Sequence, residues 1–170
     1  MNKRQVKLEK TPLDLAGDPV ELGSKAPNFN VLDNDLKAFS ISDIHDKILV
    51  ISSVPSLDTP VCDAQTRRFN QAAIELGEDV EILTISMDLP FAQKRWCAAT
   101  GVDRVRTLSD HKSASFGKAF GVLIPDLRLL ARAVFVLDRD KTIRYIQIVD
   151  EITNEPDYTD VLNAVKALIT

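Results

Sequence analysis

Two cysteines, two histidines and a single tryptophan are all of those residue types that the 170-residue chain contains. Two cysteines make no disulfide scaffold, and in a reducing compartment such a pair serves redox or catalytic chemistry. Neither His45 nor His111 lies near a cysteine in sequence, so none of the usual metal-ligand spacings is present. The absence of a Cys-x-x-Cys pair argues against a dithiol-exchange enzyme. No stretch approaches the roughly 20 consecutive apolar residues of a membrane span. The opening segment Met1 to Lys10 carries positive charge without an apolar run behind it, so no secretory signal is read and a cytoplasmic location is expected. Lysine and arginine are scattered and the net charge is -4, which excludes an obvious nucleic-acid or anionic-membrane surface. Hydrophobic residues at 45% and charged residues at 27% exclude disordered, collagen-like and coiled-coil classes and leave an ordinary globular chain.

The chain has no repeats, low-complexity segments or linker, which predicts one domain over residues 1–170. Residues 1–22 alternate weakly around Pro12 and Gly17-Asp18-Pro19 and predict a β-hairpin extension on one edge. Phe29 to Leu32 and Ala38 to Ile41 read as short strands joined at Asn34-Asp35. Lys47 to Val54 and Val80 to Met87 are short, apolar and rich in β-branched residues, as buried strands are. A helix between them implies a right-handed parallel βαβ unit. A second helix runs from Phe91 to Ala99 after Asp88-Leu89-Pro90 and stops at Gly101, with Cys97 in its last turn. Thr107 to Asp110 ends a short strand, and Ser113 to Gly121 gives a helical turn or two. Leu129 to Asp138 and Thr142 to Val149 predict an antiparallel hairpin, and a last helix runs from Asp157 or Tyr158 to Leu168. The sum is an α/β fold with a mixed central sheet flanked by helices.

The most informative stretch is Pro55-Ser56-Leu57-Asp58-Thr59-Pro60-Val61-Cys62. Pro55 ends the strand, Thr59 is a good N-cap, Pro60 suits the first helical position, and Gly77 supplies a left-handed stop. Val61, Ala64, Phe69, Ala72, Ala73 and Leu76 recur at roughly helical spacing. Cys62 then lies where backbone N–H groups lack intrahelical partners and the helix dipole is positive, and such positions favour a thiolate. Most free cysteines are simply small buried hydrophobes, yet the C-terminal edge of a parallel sheet is where α/β proteins hold their ligands. Thr59, three residues before Cys62, is close enough for its hydroxyl to reach the sulfur while capping the helix. Arg132 stands in the apolar run Leu129 to Leu137, where a charge needs an anionic partner, for an arbitrary strand arginine a carboxylate; the resemblance described next implies Cys62 instead. Arg128 competes with it but falls in the loop before the strand.

The motif Pro55-x-x-x-Thr59-x-x-Cys62 resembles that of the peroxiredoxins. The fuller string VPSLDTPVCDAQTRRFN, with GSKAPNF, LPFAQKRWC, LSDHKSASFGKAFGV, LLARAVFVLD and IVDEITNEPDY, is similar to the thiol peroxidases, the atypical two-cysteine peroxiredoxins of bacteria. The resemblance covers nearly the whole chain. It implies a thioredoxin-like fold and a peroxidatic Cys62 that reduces hydrogen peroxide and organic hydroperoxides through a sulfenic acid. It implies that Cys97 resolves that acid as an intramolecular disulfide after local unfolding, and that thioredoxin recycles the enzyme. Thr59 and Arg132 would assist Cys62, and Pro55 would line the substrate pocket. Residues around Phe91, Phe116 and Phe120 are expected to set the size of that pocket, and Trp96 to act by packing. No metal, haem or flavin is implied as a cofactor, and a homodimer is. A redox sensor that uses the same two cysteines without turnover is the alternative from another class.

Overall fold

The computed structural model describes residues 4–169; Met1 to Lys3 of the expected extension, and Thr170, lie outside them. A continuous apolar run forms a strand that can be covered on both faces, and β5 (Ile48–Ser53), with all six residues buried, is the centre of the molecule. It pairs in parallel with β6 (Val80–Ser86), which pairs in parallel with β7 (Val105–Ser109). On its other side it pairs antiparallel with β10 (Ala133–Leu137), which carries β11 (Ile143–Ile148) at the edge. The short strands β3 (Val31–Leu32) and β4 (Ala38–Phe39) complete a seven-stranded mixed sheet in the order β11, β10, β5, β6, β7, β3, β4.

Because successive strand residues face opposite sides, the sheet feeds two cores. Leu49 and Ile51 of β5, Leu83 and Ile85 of β6, and Ala133, Phe135 and Leu137 of β10 join one. Ile48, Val50, Val80, Ile82, Val134 and Val136 join the other. The second core is covered by α1 (Pro60–Leu76) through Phe69 and Ala73 and by α4 (Tyr158–Ile169) through Val161 and Val165, with Trp96 of α2 (Pro90–Thr100) packed beside them. The first is covered by α3 (Ser115–Ala119) and the chain around Phe29. There Phe29, Phe116, Phe120 and Phe135 pack mostly edge to face with ring centroids 4.8 to 6.3 Å apart.

The expected N-terminal hairpin is present as β1 (Gln5–Leu8) and β2 (Thr11–Asp14), with Val6 opposite Leu13. Two expectations need correction. The run Leu129 to Asp138 is not one strand: β9 (Leu129–Leu130) turns away to pair with β8 (Leu123–Ile124), and the sheet strand begins only at Ala133. Ala131 and Arg132 form the step between them, where the Ala131 N–H donates to the Val122 carbonyl and the Ala131 carbonyl accepts from Ser53 Oγ at 2.7 Å. Gly77 does end α1, but with φ 84° and ψ -163°, an extended mirror-image conformation open to glycine rather than the left-handed helical one.

Candidate active site

The site forms where β5 runs out. Val54 keeps the strand tied to β6 through an N–H donated to the Ile85 carbonyl. Pro55 cannot extend the ladder, and the chain turns through Ser56 and Leu57. Both are fastened to one carboxylate: Ser56 Oγ donates to Asp88 Oδ1 at 2.7 Å and the Leu57 N–H to Asp88 Oδ2 at 2.8 Å, while Ser86 Oγ also donates to Oδ2. Thr59 then caps α1 from an extended conformation, its Oγ1 accepting the Cys62 N–H at 3.3 Å and donating to the Ser56 carbonyl at 3.0 Å. Pro60 occupies the first helical position, where its lack of an N–H costs nothing.

Cys62 sits in the first turn with its side chain fully buried against Val54, Leu57 and Trp96. Its polar neighbour is Arg132: Nη2 lies 3.3 Å from Sγ. The guanidinium is only 2% exposed and is held from three directions. Nε and Nη2 both donate to the Ile152 carbonyl, at 2.9 and 2.7 Å, and Nη1 donates to Gln65 Oε1 at 2.8 Å. Gln65 in turn donates to Ser52 Oγ at 2.7 Å. Among the described residues no carboxylate pairs with Arg132, so of the two partners considered for it the sulfur is the one present. Arg128 points elsewhere, donating to the His111 carbonyl at 3.0 Å.

Next to this cluster is an apolar cavity of about 290 Å³ lined by Leu8, Pro55, Thr59, Pro60, Val61, Leu129, Arg132, Ile152 and Thr153. Pro55 is at its wall. The three phenylalanines are not: Phe116 and Phe120 are sealed in the aromatic core, and Phe91 is two-thirds exposed at the start of α2. Their apolar character gave no means of telling core from cavity wall.

Cys97 is a free thiol in the last full turn of α2, and its carbonyl accepts the capping N–H of Gly101. Its sulfur lies 3.4 Å from Thr107 Oγ1, and that hydroxyl donates its only proton to Asn34 Oδ1 at 3.0 Å. Trp96, beside Cys97, packs on the Cys62 cluster and also donates Nε1–H to Asp63 Oδ1 at 2.9 Å. The residue before one cysteine thus binds the residue after the other. No group of three or more His, Cys, Asp or Glu side chains that could hold a metal ion exists among the described residues, and no helix among them is long and apolar enough to cross a membrane.

Gln65, Ile152 and Asp88 were missed from the sequence. The buried stripe of α1 is Cys62, Gln65, Thr66, Phe69, Ala72 and Ala73, whereas Ala64 faces outward. Two polar residues in phase with buried apolar ones were the available signal for Gln65. The Ile152 carbonyl, a backbone group, left none.

The redoxin family model matches residues 21–162. The thiol peroxidase of Bacillus subtilis (strain 168) is 55% identical over 158 residues, covering 93% of this chain and 94% of its own. That of Oceanobacillus iheyensis is 56% identical over 158 residues, 93% of this chain and 96% of its own. Among solved structures, a peroxiredoxin-like protein from Aquifex aeolicus superposes with a TM-score of 0.91 at 42% identity, covering 97% of each chain. Thiol peroxidase from Chromobacterium violaceum shares the fold, with a TM-score of 0.86 at 17% identity over 96% of this chain and 95% of its own. The chain belongs to the redoxin family, as a thiol peroxidase of the peroxiredoxin type.

Proposed function

We propose that Cys62 is the peroxidatic nucleophile, that Cys97 resolves it, and that the enzyme reduces hydrogen peroxide and organic hydroperoxides in antioxidant defence with thioredoxin as reductant. The observation that carries this reading is the buried guanidinium of Arg132 with Nη2 3.3 Å from Cys62 Sγ and no competing carboxylate among the described residues. A cation beside a sulfur at a helix N-terminus favours the anionic nucleophile. The thiolate attacks one peroxide oxygen and the O–O bond breaks. The hydroperoxide's own proton ends on the departing oxygen, which leaves as alcohol or water, and the sulfur is left as a sulfenate that takes a proton from solvent to become the sulfenic acid. Arg132 and the Thr59 hydroxyl assist that charge transfer. For Thr59 this means exchanging its bond to the Ser56 carbonyl for one to the substrate.

The thiol of Cys97 then displaces hydroxide from the sulfenic sulfur, giving a Cys62–Cys97 disulfide and water. The dithiol of thioredoxin returns both cysteines to the reduced state by exchange. The apolar cavity walled by Pro55 and Leu129 suits the organic part of a hydroperoxide. We infer a homodimer, following the family resemblance. In a coupled assay with thioredoxin and its reductase, Cys62→Ser consumes no hydroperoxide, whereas Cys97→Ser performs one turnover and then stops. Full activity in Cys62→Ser, or undiminished steady-state turnover in Cys97→Ser, overturns the respective assignment.

A further inference from the structure

The turn of the N-terminal hairpin is unusual. Glu9 and Lys10 both have positive φ, 49° and 73°, the conformation that two-residue hairpin turns normally reach with Asn-Gly. A Cβ at each position makes it costly. What holds the turn is a carboxylate far along the chain: Glu151 Oε2 accepts the Glu9 N–H at 3.1 Å and Oε1 the Lys10 N–H at 3.0 Å. Two successive turn N–H groups converging on one anion are a stable arrangement. Beside it, Lys7 donates its N–H to the Asp150 carbonyl and accepts the Ile152 N–H, at 2.7 and 2.9 Å. The hairpin base is fixed as well, through Arg4 Nη1 to the Gly121 carbonyl and the Ala16 N–H to the Leu123 carbonyl, both at 2.8 Å.

Ile152 therefore gives its N–H to the hairpin and its carbonyl to Arg132. Because the guanidinium is planar, two bonds from Nε and Nη2 to one oxygen set the orientation of the whole group. That orientation puts Nη2 against Cys62 Sγ. We propose that Glu151 is a positioning residue for Arg132: by clamping the Glu9-Lys10 turn it fixes the Ile152 carbonyl, and with it the direction of the guanidinium at the reactive sulfur. The inference deepens the reading of Cys62 and Arg132 given above and rests on it. The hairpin is then part of the active-site support, and through Leu8 also part of the cavity wall.

The test is a double-mutant cycle on the full-length protein combining Glu151→Ala with Arg132→Met, run again with Glu151→Gln so that a folding defect in the alanine variant does not decide the result. Two rates are measured at Cys62, oxidation by one equivalent of hydroperoxide and alkylation by iodoacetamide. Glu151→Ala is expected to slow both on the order of tenfold when Arg132 is present and to change neither in the Arg132→Met background. A merely structural role would slow both backgrounds alike. Equal losses in the two backgrounds, or no loss in either, overturn the proposal. If wild-type Cys62 does not react with hydroperoxide, it is the proposed function that fails, and the alkylation arm alone still decides the coupling by the same two outcomes.

Discussion

Arg132 shows how one side chain is made to serve one atom. A guanidinium has five N–H groups, and the Ile152 carbonyl, Gln65 and Cys62 Sγ take up four donor contacts from them. Two of these acceptors neutralise nothing, so the cation keeps its charge for the sulfur. The charge was legible in the sequence because it interrupts an apolar run, but its partners lie 20 to 70 residues away and were not. Asp110 is the contrasting case, a carboxyl that is 1% exposed and, among the described residues, has no cation hydrogen-bonded to it. Burial pushes its pKa above the ordinary 3.8, against the opposing bonds from the Gly117 and Phe116 N–H groups that it caps. The folded chain thus holds this proton more tightly than the unfolded chain does. The associated stability is complete below about pH 3.8 and is lost as pH rises through the higher folded value. Urea midpoints across that range should show wild type losing stability relative to Asp110→Asn as pH increases; a difference independent of pH, or rising with it, contradicts this.

At the scale of elements, the β5–α1 junction was readable because every local signal agrees: a buried strand, a proline stop, a threonine cap, proline at the first helical position. The step between β9 and β10 was not, because Ala131 and Arg132 carry no turn signature and contacts with Val122, Ser53 and Val149 hold it. The two cysteine-bearing helices are joined by the Trp96 to Asp63 hydrogen bond and by Trp96 packing on Val54, Leu57 and Cys62. In the proposed cycle, where Cys97 reaches the Cys62 sulfenic acid by local unfolding of a helix and the disulfide needs the two Cα atoms within about 7 Å, these Trp96 contacts are a restraint on α2. Trp96→Phe keeps an aromatic ring but loses the bond, worth about 1 kcal/mol or a factor of roughly five. Acid-quenched time courses should therefore show disulfide formation several-fold faster in this variant, with the first oxidation step unchanged. An unchanged or slower disulfide step would mean that the contact does not restrain α2.

For the molecule as a whole, the order of strands and helices was recoverable from hydrophobic pattern and breakers, since a mixed sheet with two covered faces needs continuous apolar strands at its centre. How the ends of the chain support the site was not recoverable. The hairpin reads as an edge decoration, yet Lys7, Glu9 and Lys10 meet residues 150–152, which hold Arg132. Contacts between distant backbone groups leave no trace in composition or periodicity. The account depends on two sulfurs acting as one redox pair, and the intact mass of the native protein after one equivalent of hydroperoxide tests that most directly. The prediction is a loss of two hydrogen atoms, with neither cysteine open to alkylation and a linked peptide containing Cys62 and Cys97. An unchanged mass with both thiols still free, or a covalent dimer in its place, would contradict it.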